Sequence, residues 1–324
     1  MQREPFGRLD SLPALRTNIL PFCRLKAGEI WRDPLKGHRV GALDAGKAED
    51  VRALMKSADK DSQEYSQLGI HDPPYNITVG GKKTRALFQT DTAGYTTFSR
   101  AWVSAALSAL DTNAALYIWL GADQNAGFQP LPEFMFLMRE FPELQSRSLI
   151  TLRNQRGYGT QKNWMAVRQE LLYYARGNPP FQVVYTDIPK TLKGYYKEAG
   201  GRKTTNQERG NADTIRPGNV WVDIQQVFYR RQENVPGAYA QKPLSAIERV
   251  IRASSKPGDL VTDFFAHSGT TLIAAERLGR VCRTMDIDPV FAELTIRRLE
   301  HLRATGKTGW QTENPFPELK NYKV

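Results

Sequence analysis

The 324-residue chain has few of the residues that build metal sites in proteins. It contains two cysteines, Cys23 and Cys282, and four scattered histidines. The two cysteines are far apart in sequence, and neither belongs to a CxxC pair. This pattern argues against a structural zinc site, because such sites need closely spaced cysteine and histidine ligands.

The chain also lacks a continuous apolar run long enough to cross a membrane. Residues 1–16, MQREPFGRLDSLPALR, are interrupted by charges and prolines and therefore do not have the pattern of a signal peptide. Hydrophobic residues make up 40% of the chain and charged residues 24%, an ordinary globular composition that excludes wholesale disorder. We expect a soluble cytoplasmic protein with no membrane partner.

Positive charge exceeds negative charge by a wide margin. The formal net charge is +11 and the sequence pI is about 9.6. A surplus of this size suits a polyanionic partner such as nucleic acid, although charge alone is equally compatible with no such partner.

Short apolar runs alternate with segments of helical periodicity, a pattern that predicts an α/β fold with a doubly wound, mostly parallel sheet. Strands are predicted at 39–45, 115–120, 148–154, 170–177 and 181–185, and helices at 48–57, 95–110 and 132–141. Residues 1–35 are dotted with prolines and are expected to form an irregular arm on the body. Residues 80–94 are rich in glycine and basic residues, and predict a loop.

The stretch HDPPYNI, residues 71–77, places two prolines between a carboxylate and an aromatic ring. Pro73 and Pro74 each fix φ and remove a backbone donor, so they predict a stiff, non-helical corner. Such a corner leaves carbonyl groups free and points Asp72 and Tyr75 in fixed directions. Taken alone, the stretch is compatible either with a catalytic corner or with a β-turn that carries an incidental acid.

A second informative stretch covers residues 258–288, GDLVTDFFAHSGTTLIAAERLGRVCRTMDID. It predicts a strand, a tight turn of small residues, a helix and a second strand that ends at Asp286. Gly269 allows a ligand to approach the backbone, and an acid at a strand end can bind a ribose diol. Asp288 is expected to cap the helix that follows. The stretch therefore indicates an adenosine-bearing ligand, with a plain α/β crossover as the alternative, because the GxGxxG spacing is absent.

Together, DPPY upstream and QKP followed by DFFxxSGTT downstream resemble the S-adenosylmethionine-dependent DNA amino-methyltransferases of the β class, the adenine-N6 and cytosine-N4 family. The similarity runs from about residue 39 to residue 304 and includes an NVW signature at 219–221. The catalytic motif precedes the cofactor motif, which in this family is the circularly permuted arrangement of a Rossmann-like fold.

The resemblance implies an organisation for the whole chain. It consists of an N-terminal arm (1–38), a catalytic half with the DPPY motif (39–185), an inserted target-recognition segment (186–218), a cofactor-binding half (219–304) and a C-terminal tail (305–324).

The resemblance also implies a reaction. The Asp72 carboxylate and the Pro73 carbonyl would accept the two N–H groups of a flipped-out base, Pro74 would keep them rigid, and Tyr75 would stack on the base. Methyl transfer would be direct, with no covalent enzyme intermediate and no metal. The acid of DPPY favours adenine-N6, whereas cytosine-N4 enzymes more often carry serine there and remain the alternative. Methylation of RNA or of a protein amide is a more distant rival.

The residues that the resemblance assigns to S-adenosylmethionine are Lys242, Asp263, Phe264, Phe265, Ala266, His267, Ser268, Gly269, Thr270 and Asp286. One of the two phenylalanines is expected to line the cofactor site and the other to fill the core. His267 stands where most relatives carry glycine. Its imidazole could bind the cofactor or could crowd the turn, so a catalytically impaired DNA-binding relative is a further alternative.

Double-stranded DNA is the partner that the resemblance implies, and it is compatible with a homodimer and with a cognate restriction endonuclease. The residues expected to contact DNA lie in the loop after the catalytic corner and in the target-recognition segment. They are Lys82, Lys83, Arg85, Lys193, Tyr195, Tyr196, Arg202 and Lys203.

Overall fold

Within the described residues, nine strands form one sheet, and two further strands form a separate antiparallel hairpin. The computed structural model describes residues 7, 9, 12–57, 62–75, 91–121, 129–158, 164–189, 195–199, 202–206, 212–224 and 231–319. The strands are β1 (Ile30–Arg32), β2 (Arg39–Ala42), β3 (Ser66–His71), β4 (Leu110–Leu120), β5 (Leu144–Tyr158), β6 (Ala166–Arg176), β7 (Tyr195–Ala199), β8 (Arg202–Asn206), β9 (Val220–Trp221), β10 (Leu260–Asp263) and β11 (Val281–Asp286).

The order of strands across the large sheet is β1-β2-β11-β10-β3-β4-β6-β5-β9. The pairs from β2 through β11, β10 and β3 to β4 are all parallel, as is β5 with β9. Three pairs are antiparallel: β1 with β2, β4 with β6, and β6 with β5. The prediction of a mostly parallel α/β sheet is therefore confirmed.

Helices cover the sheet in the described part of the chain, most of them in segments where the sequence predicts a helix. They are α1 (Pro13–Ile19), α2 (Ala48–Met55), α3 (Thr92–Ala109), α4 (Pro130–Leu137), α5 (Leu244–Ser254), α6 (Thr270–Arg277) and α7 (Pro289–Thr305). Asp91 caps α3 by accepting a hydrogen bond from Gly94 N, so the last residues of the predicted 80–94 loop belong to this helix. The rest of that loop, residues 80–90, lies outside the described residues.

The buried apolar side chains of the described residues form three clusters, of which the two largest cover the two faces of the sheet. Trp102 of α3 and Leu54 of α2 are fully buried on one face. Val250 of α5 and Ile273 of α6 are fully buried on the other face. Both faces of the central strands are thus covered, as expected for a parallel sheet. None of the helices in the described ranges is long and apolar enough to cross a membrane.

The predicted strand at 181–185, FQVVY, is wrong. This segment is irregular, and Phe181 is 54% exposed. Pro179 and Pro180 precede it and have no backbone N–H to donate to a sheet. The backbone N–H of Gln182 instead donates to the carbonyl of Ala253 near the end of α5, so the segment is bonded to a helix and not to the sheet.

The N-terminal segment is more regular than its prolines predict. Pro13 begins α1, a position that tolerates proline because the first N–H groups of a helix have no partner inside it. Ile30–Arg32 forms the edge strand β1. Leu15 and Ile19 are fully buried against Phe291 of α7. In its described residues, the expected irregular arm therefore contains a helix that shares a core with α7 and an edge strand of the sheet.

The predicted insertion at 186–218 leaves and rejoins the body at one place. Thr186 N donates to Ile215 O, and Ile215 N donates to Ile188 O, at 2.9 Å each. The described residues between these points include the β7–β8 hairpin. The two ends of the segment are therefore tied together by backbone hydrogen bonds.

The shared core of the N-terminal segment and α7 yields a stability prediction. Ile19→Ala should lower the free energy of unfolding by about 2–5 kcal/mol, because it removes a fully buried side chain and leaves a cavity. The neighbouring Leu20 is 46% exposed, so Leu20→Ala should change it by only about 0.5 kcal/mol. Urea denaturation measures both, and equal costs would contradict the integration of this segment into the core.

Candidate active site

The two motif segments meet at one edge of the sheet. The DPPY corner follows β3, and the turn Ala266–Thr270 follows β10. Because β3 and β10 are parallel neighbours, their carboxyl ends lie side by side and leave a cleft between them. The cleft is lined by Ile70, Asp72, Trp119, Lys242, Ile247, Asp263, Phe265, Ala266, His267, Ser268, Thr270 and Thr271.

Both carboxylate oxygens of Asp72 accept hydrogen bonds from side chains. Lys242 Nζ donates to Oδ2 at 2.6 Å, and the Tyr75 hydroxyl donates to Oδ1 at 2.5 Å. Burial, followed by the negative charge of Asp72, raises the pKa of Tyr75 well above its ordinary value, so this phenol keeps its proton. The carboxylate is thus held in place from two sides, although its side chain is still 20% exposed.

Lys242 is fixed in the cleft by its surroundings. Its ammonium lies 5.3 Å from the ring centre of Tyr75 and 5.5 Å from that of Trp119, both within the range of cation–π attraction. The preceding residue, Gln241, accepts a hydrogen bond from Val235 N and donates one to Glu233 O. The backbone of the QKP segment is therefore anchored, and the lysine side chain reaches from it to Asp72.

A second acid stands at the end of β10. Asp263 is buried, and its Oδ1 accepts a hydrogen bond from Phe265 N. Burial raises the pKa of Asp263 to about 7, and the negative charges of Asp72 and Asp286 act in the same direction. The two phenylalanines that follow separate, since Phe265 lines the cleft and Phe264 is buried in the core.

The turn between β10 and α6 depends on Gly269. Its φ is +73°, and a Cβ at this position would lie 2.9 Å from Cγ2 of Thr295 in α7. Arg298, also on α7, donates from Nη1 to Ser268 O and to the Thr270 hydroxyl. The turn therefore rests directly on α7, with no space for a side chain between them.

His267 adopts a backbone conformation that favours glycine. Its φ is +45°, in the left-handed region that glycine adopts without a steric cost from Cβ. The imidazole packs on Phe291 with ring centres 4.7 Å apart. Its backbone N–H donates to Asp286 Oδ2, and its carbonyl accepts a hydrogen bond from the Thr295 hydroxyl. The histidine is thus accommodated by the turn while it lines the cleft.

Asp286, at the end of β11, is hydrogen-bonded to the backbone of the turn. Oδ2 accepts from His267 N, and Oδ1 accepts from Asp288 N. Each carboxylate oxygen keeps a further lone pair for a ligand. Burial raises the pKa of Asp286 to about 6. Asp288 caps α7 by accepting from Val290 N, which confirms the cap predicted for it.

The predicted DNA-contacting residues lie partly outside the described residues and partly on the β7–β8 hairpin. Lys82, Lys83, Arg85 and Lys193 lie outside the described residues. Tyr195 and Tyr196 are on β7, and Arg202 and Lys203 are on the antiparallel partner strand β8.

Two residues close to the motifs escaped the sequence analysis. Trp119, in the middle of an apolar run, reads as core, and only the sheet order shows that its ring faces Lys242. His71 directly precedes Asp72 and is fully buried. The sequence could have indicated it, because His71 ends an apolar strand directly before Asp72, and histidine is fully buried less often than the aliphatic residues of such a strand.

Comparison with known proteins gives a consistent set of similarities. The family model N6_N4_Mtase, described as DNA methylase, matches residues 67–297. The Type II methyltransferase M1.MboII of Moraxella bovis is 31% identical over 225 residues, which are 66% of this chain and 81% of that protein. The Type II methyltransferase M.HpaI of Haemophilus parainfluenzae is 25% identical over 244 residues, which are 74% of this chain and 70% of that protein.

Among solved structures, the cytosine-N4-specific PvuII DNA methyltransferase aligns with a TM-score of 0.51 at 14% identity. The alignment covers 72% of this chain and 79% of that one. At this level of identity the likeness shows a shared fold.

The contact between Gly269 and α7 predicts an unequal effect of two similar substitutions. Gly279 has a φ of +71° but open space around it, so Gly279→Ala should cost about 1–2 kcal/mol of stability through backbone strain alone. Gly269→Ala should cost about 1–3 kcal/mol more, because its Cβ also meets Thr295. Chemical denaturation of both variants measures the difference, and an equal cost would show that α7 yields to the added methyl group.

Proposed function

This chain belongs to the N6_N4_Mtase family of DNA methylases, and on that premise we propose that it methylates the exocyclic N6 of adenine in double-stranded DNA. The observation that carries the proposal is the position of Asp72, which a double-proline corner holds at the mouth of the cleft beside the Ala266–Thr270 turn. Cytosine-N4 is the alternative target, because both bases present an exocyclic amine in the same geometry.

The proposed role of the DPPY corner follows from the chemistry of the amine. The lone pair of an exocyclic amine is delocalised into the ring, so the nitrogen is a poor nucleophile. Two rigid acceptors, the Asp72 carboxylate and the Pro73 carbonyl, draw its N–H groups toward a geometry in which the lone pair faces the methyl donor. Tyr75 stacks on the base once it leaves the duplex. Pro74 keeps the corner from relaxing.

Each oxygen of Asp72 accepts one hydrogen bond, Oδ2 from Lys242 and Oδ1 from Tyr75. Each oxygen keeps a further lone pair to which the target amine can donate. Lys242 is the only lysine or arginine among the described residues that line the cleft. Its ammonium can pair instead with the carboxylate of the methionine part of the cofactor, which leaves Oδ2 of Asp72 open to the amine.

The cofactor is S-adenosylmethionine, which supplies a methyl group activated by a sulfonium centre. The residues present fit such a molecule. Asp286 has lone pairs available for the ribose hydroxyls, and Lys242 matches a carboxylate. Asp263, Phe265, Ala266, His267, Ser268 and Thr270 complete the wall, while Phe264 supports it from the core.

The order of strands supports the circularly permuted arrangement. Read outward from β10, the sheet continues through β11 and β2 on one side and through β3 and β4 on the other. This matches the 3-2-1-4-5 order of a doubly wound fold when β10 is its first strand. In this chain β2, β3 and β4 precede β10, so the catalytic half comes first.

We further infer that the segment from 186 to 218, with its β7–β8 hairpin, selects the target sequence. The two relatives above are Type II methyltransferases, and on this likeness the protein protects a short site against a cognate restriction endonuclease. A homodimer is compatible with this role.

Nucleoside mass spectrometry of DNA incubated with the protein and S-adenosylmethionine tests the proposed reaction. N6-methyladenine is the expected product. N4-methylcytosine would keep the mechanism and reassign the base. Absence of both, on DNA of varied sequence, would overturn the proposed function.

Asp72→Ala should abolish methyl transfer, a loss of at least about 10³-fold, because one of the two rigid acceptors is removed. Cofactor affinity, measured by calorimetry, should stay within about threefold of the original. Asp111→Ala is the matched control, since Asp111 lies near the opposite end of the neighbouring strand β4, and it should retain turnover. Turnover retained by the Asp72 variant would refute the catalytic assignment.

The raised pKa of Asp286 predicts a pH dependence of cofactor binding. Only the anionic form offers all its lone pairs to the ribose, so affinity should fall as pH decreases through about 6, by up to about tenfold per unit. Asp286→Asn should bind more weakly at pH 8 and should lose this part of the decrease. Calorimetric titration between pH 5 and 8 measures both, and an equal slope in the variant would assign the dependence to another group.

A further inference from the structure

His71 links the two halves of the active site at the point where the sheet opens. It is the last residue of β3 and is fully buried. Its Nδ1 accepts a hydrogen bond from the backbone N–H of Phe264, at 3.1 Å. Asp72 follows His71 in the chain, and Asp263 precedes Phe264. One side chain therefore connects the residue beside the DPPY corner with the residue beside the turn that follows β10.

This hydrogen bond replaces a backbone hydrogen bond that β3 and β10 do not form. The parallel pairing of β3 with β10 ends at Gly69 and Thr262, and the two strands separate beyond that point to form the cleft. The backbone N–H of Phe264 lies past the last pair and is buried with its residue. The imidazole spans the gap and supplies the acceptor that the neighbouring backbone would otherwise have to supply.

The surroundings of the ring fix both its orientation and its protonation state. Its centre lies 4.8 Å from the ring of Phe264 and 5.7 Å from that of Trp102. Gly69, two residues earlier on the same face, leaves room for it, since a Cβ there would lie 3.0 Å from Nε2. Burial lowers the pKa of His71 to about 3, and Nδ1 must be unprotonated to accept from Phe264 N. The ring is thus neutral, with its proton on Nε2.

We propose that His71 is a positioning residue for methyl transfer, which sets the separation between the Asp72 corner and the turn that follows β10. This inference rests on the function proposed above. The target amine is held by one strand end and the methyl donor by the other, so the distance between the two ends is the distance over which the methyl group moves. A shift of about 1 Å in such an arrangement can cost about 100-fold in rate.

Two substitutions of His71 test separately the effect of its hydrogen-bond acceptor and the effect of its aromatic ring. His71→Phe keeps an aromatic ring but leaves Phe264 N without an acceptor, and it should lower kcat by about 10- to 100-fold. His71→Asn loses the ring but places Oδ1 close to the position of Nδ1, and it should restore kcat to within about threefold of the original. Neither variant removes a group that touches the base, so the KM for DNA should change by less than about threefold. Methyl transfer from tritiated S-adenosylmethionine measures all of these.

Ser66→Ala is the matched control for a purely structural effect. Ser66 is the buried first residue of the same strand, at the end opposite to His71, and its hydroxyl is hydrogen-bonded to that of Thr262, so it also links β3 with β10. This variant should lower the melting temperature and leave kcat unchanged well below that temperature.

The outcomes distinguish this inference from the proposed function. If His71→Phe loses stability as Ser66→Ala does but keeps the original kcat, His71 is only structural and the inference is wrong. Failure of His71→Asn to recover activity over His71→Phe would also overturn it, because the acceptor would then be irrelevant. If the unaltered protein transfers no methyl group to DNA, the proposed function fails instead.

Discussion

The parallel pairing of β3 with β10 is the constraint on which the site depends. Two strands almost 200 residues apart in the chain run side by side in one direction, so their carboxyl ends open at the same edge. The DPPY corner and the turn after β10, which form the two sides of the cleft, are placed by this arrangement. In an antiparallel pair, the DPPY corner and the turn would lie at opposite ends of the sheet. Ligands held at these two places would then be too far apart for a group to pass between them.

The two sides of the cleft are made rigid in different ways. On the β3 side, two prolines restrict the backbone, and the carboxylate is held by an ammonium and a phenol. On the β10 side, the backbone is held by acceptors and donors from its neighbours, with Asp286 below the turn and Arg298 behind it. The β3 side is thus rigid because its backbone dihedrals are restricted, whereas the β10 side is rigid because its backbone groups are hydrogen-bonded to their neighbours. Both sides fix polar groups in position before a ligand binds, and such preorganised groups stabilise developing charge without having to reorganise during the reaction.

Much of this could be predicted from the sequence, because its strongest signals are local. Apolar periodicity located the helices and the central strands, and short motifs located both sides of the cleft. The predictions fail where contacts with residues distant in the sequence determine the local structure. FQVVY has the composition of a strand, but the prolines before it and the end of α5 divert it. The prolines of the N-terminal segment suggested irregularity, yet one of them starts a helix whose partner, α7, lies nearly 300 residues later.

The pairing of Asp72 with Lys242 and the bond from Phe264 to His71 were also beyond sequence reasoning, since each joins residues more than 150 positions apart. The segment between Thr186 and Ile215 presents the opposite case, because its two ends are hydrogen-bonded to each other. A piece of chain closed at its base can be exchanged by recombination without altering the path of the chain on either side. Evolution can therefore replace this piece as a cassette, whereas the residues around the cleft are so interlocked that they have to be inherited together.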